Sequence, residues 1–320
     1  MQSEGNLESQ RIGLSGQTHA SRRGATYEQL SMGVLPVSVR HGFVSSEPSV
    51  LDRDTMRIVA QEEGLSYWKK DMGARPMLNL ATDYSRSTLR TGENGHICFE
   101  LKPQLAQQIR ILAQAEGATF FDVTLSAWQT LLYRYSGESD LLLGCPFKGR
   151  DRVELESNSG VSTDVLPLRF RLPDGVTFRQ LLHRTRQTVQ TALEHQEEWL
   201  QWLLKKAPSQ VDAIGSSLFH AMFLHKHIAL EQRSSAGLTF EPEDSPAPTT
   251  MVDLSLTMIE SADRVRGCLS YLLDLFDPST IDRMSRHFVT LLEGIVSVPD
   301  QRIRELPLLT AAERHQLLVE

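Results

Sequence analysis

Residues 119–146 read TFFDVTLSAWQTLLYRYSGESDLLLGCP, and this stretch decides the fold class. Val123, Leu125, Ala127, Trp128, Leu131 and Leu132 are spread nearly all round a helix over Phe120 to Tyr135. A helix apolar on every side is a buried one. Gly137 follows, and Asp140 to Pro146 is a short apolar run of the kind found in strands covered on both faces.

Upstream, a helical pattern begins near Asp52, with Met56, Val59, Ala60, Leu65 and Trp68 recurring at helical steps. Asp52 and Asp54 in its first turn suit the positive end of the helix dipole. HICFELK, from His96, alternates apolar and polar residues as a half-buried strand does. A helix over Pro103 to Glu116 places Leu105, Ile109, Leu112 and Ala113 on one face and stops at Gly117.

Downstream, Phe147 to Ser159 is charged and reads as a loop. Asp164 to Phe170 is a strand that Pro167, lacking an N–H, confines to an edge or a bulge. A long amphipathic helix is expected over Phe178 to Leu204, a strand over Ser217 to His227, and a connection over Arg233 to Thr250. DLSLTMIE and VRGCLSYLL form a hairpin about Ala262 and Asp263, and Pro278 to Val296 is a closing helix. Strands alternating with helices, then a hairpin, predict an α/β sandwich: a mixed β-sheet flanked by helices. Residues 1 to about 30 are rich in Ser, Gly, Gln and Arg without periodicity and read as disordered. Val34 to Val39 is a short strand or an apolar patch in a loop.

Composition excludes several classes. The 320 residues carry a formal charge of −7 with pI near 5.8, against a basic nucleic-acid groove. No stretch approaches the roughly 18–20 apolar residues of a membrane span, and the N-terminus has no apolar signal core. Cys98, Cys145 and Cys268 are odd in number and form no CxxC pair. They are expected to be buried thiols of a reducing, cytoplasmic compartment and not a disulfide framework. His225 and His227 share one strand face but have no third metal ligand nearby in sequence. GxSxG, GxxxxGK[ST], GxGxxG and HExxH are all missing from the chain.

Several motifs, in order, resemble those of nonribosomal peptide synthetase condensation domains, members of the chloramphenicol acetyltransferase-like superfamily. SYWKKDMGARPMLNLATDYSRS is similar to the family's YW…L.LP.D..RP. The run from Ala118 to Phe170 is similar to its RYSGQ.D…GTPVAGR…FVNTL.LR. EHQEEWLQ, SSLFHAMF, VDLSL and LPLLTAAERHQLL are similar to its HQD.PFE, SPLFQVMF, FDL.L and the segment that leads to an adenylation domain. The resemblance covers about Ser66 to Glu320 and implies one lobe of the superfamily fold. It divides the chain into an extension (1–50, disordered or docking), a C-terminal lobe (51–304) and a linker (305–320).

The family's chemistry rests on HHxxxDG in its other lobe. None of the ten histidines here has that setting, and residues 1 to about 55 are too few to build such a lobe. The resemblance therefore implies no catalytic residue and a structural platform in an initiation module. Alternatives are an enzyme completed in trans by a separate N-terminal lobe, or a module that docks a carrier protein. Gly144, Pro146, Arg150, Asp164, His195 and Gln196 are the candidates for the tunnel floor or the carrier-facing surface. The open alternatives are a strand-ending turn, a surface arginine and a braced helix. Asp164 stands where the family has Asn, and Trp199 and Leu200 where it has Pro-Phe. Trp68 and Trp128 read as core; Asp83, Asp253 and Asp274 read as structural carboxylates. The implied partners are an adenylation domain and a phosphopantetheine-loaded carrier protein, with no directly bound cofactor. An uncovered inter-lobe face is expected either to pair two copies or a partner lobe, or to be covered by residues 30–55.

Overall fold

The computed structural model describes residues 53–72, 78–86, 91–147, 164–199, 219–227, 234–235, 238–239, 252–261 and 264–319. The expectations for 1–50, the loop after Phe147 and Arg150 lie outside these residues. Among them no helix is long and apolar enough to cross a membrane.

The elements run α1 (Arg53–Asp71), β1 (Asn94–Leu101), α2 (Pro103–Ala115), α3 (Phe120–Ser136), β2 (Asp140–Phe147), β3 (Asp164–Arg171), α4 (Phe178–Glu194) and β4 (Ala221–His227). A two-residue pair follows, β5 (Ser234–Ser235) with β6 (Leu238–Thr239), then β7 (Leu254–Glu260), β8 (Val265–Leu272), α5 (Pro278–Ser297) and α6 (Ala311–Val319). Six strands form one sheet in the order β1-β8-β7-β4-β2-β3. β4 is parallel to both β2 and β7, and the other pairings are antiparallel. The sheet is mixed and flanked by helices, as the pattern of elements implies. β3 lies at its edge, where Pro167 needs no outward donor.

Local chemistry sets the helix ends. Thr119 and Asp122 close a capping box on α3, and Thr177 and Gln180 do the same for α4. α3 ends at Gly137 with φ of 73°, a left-handed conformation that favours glycine. α4 is interrupted at His195, where a single turn residue breaks the expected helix; helix resumes over 196–199, and residues 200–204 lie outside the described ones. Trp199 in that helical turn donates its indole Nε1 to Val165 O at 3.0 Å.

The register sorts side chains between the two sheet faces. Phe99, Leu269, Leu256, Phe223 and Leu143 meet the helices: Phe99 lies edge-on to Phe288 of α5, and Phe121 of α3 packs between Phe147 and Phe223. Trp128, fully buried in α3, meets Phe288 from the other side. The opposite face carries Met222, Ser255, Ser270 and His96 in one row, and Leu224, Thr257, Cys268 and Cys98 in the next. α1 approaches that face at Arg169, which donates to Asp71 O at 2.6 Å while forking onto Asp140.

The last segment joins the same core. Ile303 and Leu306 are buried, and Arg134 of the RYSG motif donates to Leu306 O at 2.9 Å. Thr310 and Glu313 then cap α6 as a third such box, here Thr-x-x-Glu.

One expectation about the cysteines fails. Cys98 and Cys268 are joined in a disulfide, and only Cys145 is a buried free thiol. The pair is 170 residues apart, so no local spacing announces it. Antiparallel pairing of β1 with β8 sets the two residues directly opposite one another. Burial pushes the Cys145 thiol well above the ordinary thiol range, which suits an inert core side chain.

Candidate functional site

Three segments distant in sequence meet at one corner of the sheet. β2 brings Gly144 and Pro146, which pair with Pro167 and Val165 of β3. Asp164 opens β3 opposite Phe147, the last residue of β2. The turn after α4 brings His195, Gln196 and Trp199. Trp199 reaches Val165 O, while Trp68 of α1 donates to His195 O at 2.8 Å. Trp68 and Trp199 stack with centroids 5.1 Å apart, and the His195 ring lies 4.9 Å from Tyr67. Two indole N–H groups and an aromatic cluster thus fix the corner, because a buried Trp must place its one donor.

Within the corner, individual roles differ. A Cβ on Gly144 would stand 2.9 Å from the Phe219 ring, so this glycine admits the ring and Met222 against the sheet. Gln196 Nε2 and Glu198 Oε2 are buried with no hydrogen-bond partner. Polar atoms left so are costly unless something else satisfies them, which marks the turn as the corner's unfinished part.

A second cluster occupies the opposite ends of β4 and β7. Asp253 accepts from Arg86 at 2.7 Å and pairs with His220 Nδ1 at 2.8 Å. Burial of Asp253 raises its pKa, but the His220 and Arg86 hydrogen bonds outweigh it and hold the carboxyl below the usual range. Asp274 accepts from Thr91 N and Thr91 Oγ1 at 2.7 and 2.8 Å. Asp83 accepts from Asp277 N and Thr280 Oγ1, both at 2.9 Å. These aspartates tie Arg86 to the start of β7, Thr91 to the end of β8, and residue 83 itself to the start of α5.

The remaining histidines of interest are also paired. His225 Nε2 lies 3.0 Å from Glu260, which Arg110 also reaches at 2.9 Å, beside the Phe120 and Phe121 rings. Burial raises the Glu260 pKa, yet His225 and Arg110 together leave it depressed. Among the described residues no three His, Cys, Asp or Glu side chains group as a metal set, and His227 is exposed at the end of β4. His287 holds Tyr135 Oη at 2.7 Å and Glu313 at 3.0 Å, tying α3, α5 and α6 together.

Reasoning from sequence missed His220. Its one signal was that SSLFHAMF has His where the resembled motif has Gln. It missed the His287–Glu313 tie as well, for which the Thr310-x-x-Glu313 spacing was the available sign.

The comparisons with known proteins agree with this geometry. The model of the condensation domain matches residues 56–318. The chain belongs to the condensation-domain family. It is 36% identical over 296 residues to a linear gramicidin synthase of Brevibacillus parabrevis, covering 92% of this chain and 6% of that protein. Tyrocidine synthase 3 of the same organism is 32% identical over 256 residues, covering 80% of this chain and 4% of its own length. The chain thus spans a small fraction of the length of these curated relatives.

Solved structures share its fold. A four-domain nonribosomal peptide synthetase bound to AMP and glycine superposes with a TM-score of 0.67 at 19% identity, over 82% of this chain and 21% of that one. The X-domain from teicoplanin biosynthesis, solved in complex with OxyB, gives 0.66 at 22% identity, over 80% and 58%. In this chain the corner at β2 and β3 brings the GCP, DVLP and EHQEE segments into one place.

Proposed function

We propose that this condensation lobe is a non-catalytic platform in an initiation module of a cytoplasmic nonribosomal peptide synthetase, carrying the adjacent adenylation domain. The observation that supports this reading is the fate of its histidines. A general base for amide formation must reach the proton of the incoming amine. His287 engages both ring nitrogens, with Tyr135 and Glu313, and His195 ends α4 beside Tyr67; His220 and His225 each hold a carboxylate through one nitrogen, so the reading leans on the missing motif more than on these pairs. The 320 residues contain no HHxxxDG. The half-buried Pro146 and His195 of the corner, with Gly144 buried beneath the Phe219 ring, are the surface proposed to meet a phosphopantetheine-loaded carrier protein. The capped α6, with Leu317, Leu318 and Val319 exposed at its end, is the surface proposed to lead into the adenylation domain.

The test is direct. Purified chain, mixed with donor and acceptor carrier thioesters, is expected to form no amide above the uncatalysed rate. Turnover that is abolished by His220→Ala or His195→Ala would overturn the platform reading.

A second reading starts from the small share of the relatives that the match spans, 6% of the linear gramicidin synthase, whose remaining length leaves room for other parts. In it, a lobe bearing HHxxxDG, encoded elsewhere, docks here and completes a condensation enzyme. Co-expression with such a lobe separates the two: co-elution with amide formation supports completion, and neither supports the platform.

A further inference from the structure

We propose that the Cys98–Cys268 disulfide is a site of thiol exchange, at which a low-molecular-weight thiol couples to Cys98 and Cys268 leaves as a buried thiolate. This stands apart from the functional reading above and rests on the sheet alone.

The two sulfurs sit in unequal surroundings. Cys98 is exposed on β1, an edge strand with no neighbour on its outer side among the described strands. Cys268 is on the inner strand β8 and only 4% exposed. An attacking thiolate needs access to the sulfur it strikes, and the exchange is faster when the sulfur that departs is the better-stabilised thiolate. Access favours attack at Cys98, leaving the question of what receives the charge on Cys268.

The answer lies in the row of hydroxyls beside it. Thr257 stands directly opposite Cys268 across the β7–β8 ladder, on the same face. Ser270 is two residues further along β8 on that face, and Ser255 stands opposite Ser270. All three side-chain oxygens are buried and make no hydrogen bond. Native proteins rarely leave buried donors idle, and each such group carries a desolvation cost. A disulfide sulfur is a poor acceptor, whereas a thiolate is a charged one. The face therefore holds hydroxyls on the strand beside Cys268 that make no hydrogen bond while the disulfide is closed. Burial by itself disfavours a thiolate on Cys268, as it does on Cys145; a hydrogen bond from Thr257, formed by rotation of its side chain once the bond opens, would offset that cost.

The chemistry balances as follows. The thiolate RS⁻ forms a new S–S bond to Cys98 Sγ, the Cys98–Cys268 bond breaks, and its electron pair leaves on Cys268. A second equivalent of the same thiol attacks the mixed disulfide, releasing RSSR and the Cys98 thiolate. Two thiols are oxidised and the cysteine pair is reduced. Cys145, buried and with its thiol pKa raised by that burial, takes no part.

The experiment uses the full chain with reduced glutathione as the probe. Protein purified without reductant is digested, and its non-reduced peptides are mapped by mass. The peptides carrying residues 98 and 268 are expected to be linked. After brief exposure to glutathione and acid quench, the adduct is expected on Cys98, with Cys268 open to alkylation. Thr257→Val is expected to slow adduct formation by roughly tenfold, the worth of one hydrogen bond to a charged acceptor. Free thiols at both positions in unreduced protein, or an adduct on Cys268, would overturn the proposal. An unchanged rate in a folded Thr257→Val chain would overturn the role of the hydroxyl. Should that variant not fold, the wild-type map alone still decides which sulfur is attacked.

Discussion

The two faces of the sheet are held by different physics. On the helix side, Phe99, Phe223, Leu256 and Leu269 meet Phe121, Trp128 and Phe288, and shape and apolar burial account for the contact. On the other side, the rows through Ser255 and Thr257 contain buried hydroxyls without partners, a covalent bond between β8 and β1, and ion pairs at Arg169 and Asp253. The first face tolerates no loss of volume; the second depends on which polar partners are present. The candidate segments around Gly144 and Arg169 gather on and around the second.

This contrast is open to test, beginning with its largest expected effect. Phe288→Ala removes a fully buried ring from between Phe99 and Trp128 and should cost about 3–5 kcal/mol in urea unfolding. A loss below about 1 kcal/mol would mean that the helix side does not dominate.

Asp253→Asn breaks the Arg86 and His220 pairs on a carboxylate whose side chain is 5% exposed. The expected loss is about 2–3 kcal/mol, less than for a fully buried pair because Arg86 is one-third exposed. Its folded pKa is depressed, so this contribution is present above the ordinary Asp range and fades as the pH falls below it. The variant and wild type should therefore converge in stability under acid.

Glu313 sharpens the same point at the linker. Burial raises its pKa, but Thr310 and His287 outweigh that and bring it from the ordinary 4.5 down to about 2. A depressed carboxylate stabilises the fold above its unfolded value and loses that effect as it protonates. Amide protection in α6, taken relative to the intrinsic exchange rate at each pH, should fall as the pH drops from about 4.5 toward 2, before protection in the sheet responds. Simultaneous loss would show that α6 is not held by this carboxylate.

The smallest effect should carry the opposite sign. Ser255→Ala removes a buried hydroxyl that bonds to nothing and should stabilise by up to about 1 kcal/mol. A destabilisation of that size would mean the hydroxyl has a partner in solution.

Much of the fold was legible because its signals are local. The all-round apolar Phe120–Tyr135 helix, the alternation of HICFELK and the Pro167 edge strand each follow from side chains a few positions apart. The candidate corner was legible only as separate motifs. Nothing in GCP, DVLP or EHQEE says that Pro146 pairs with Val165, or that Trp199 reaches Val165 O. The break in the helix at His195 was hidden, since the apolar period runs through it into the helical residues 196–199.

By itself, then, the sequence determined the elements, their mixed-sheet class and the family, since periodicity, capping residues and ordered motifs are written in neighbouring positions. Tertiary structure alone decided the Cys98–Cys268 bond, the His220–Asp253–Arg86 cluster and the row of idle hydroxyls. Each depends on which strands lie side by side and in what register. That pairing is settled by the free energy of the whole core, in which contacts between residues more than a hundred positions apart count as much as near ones.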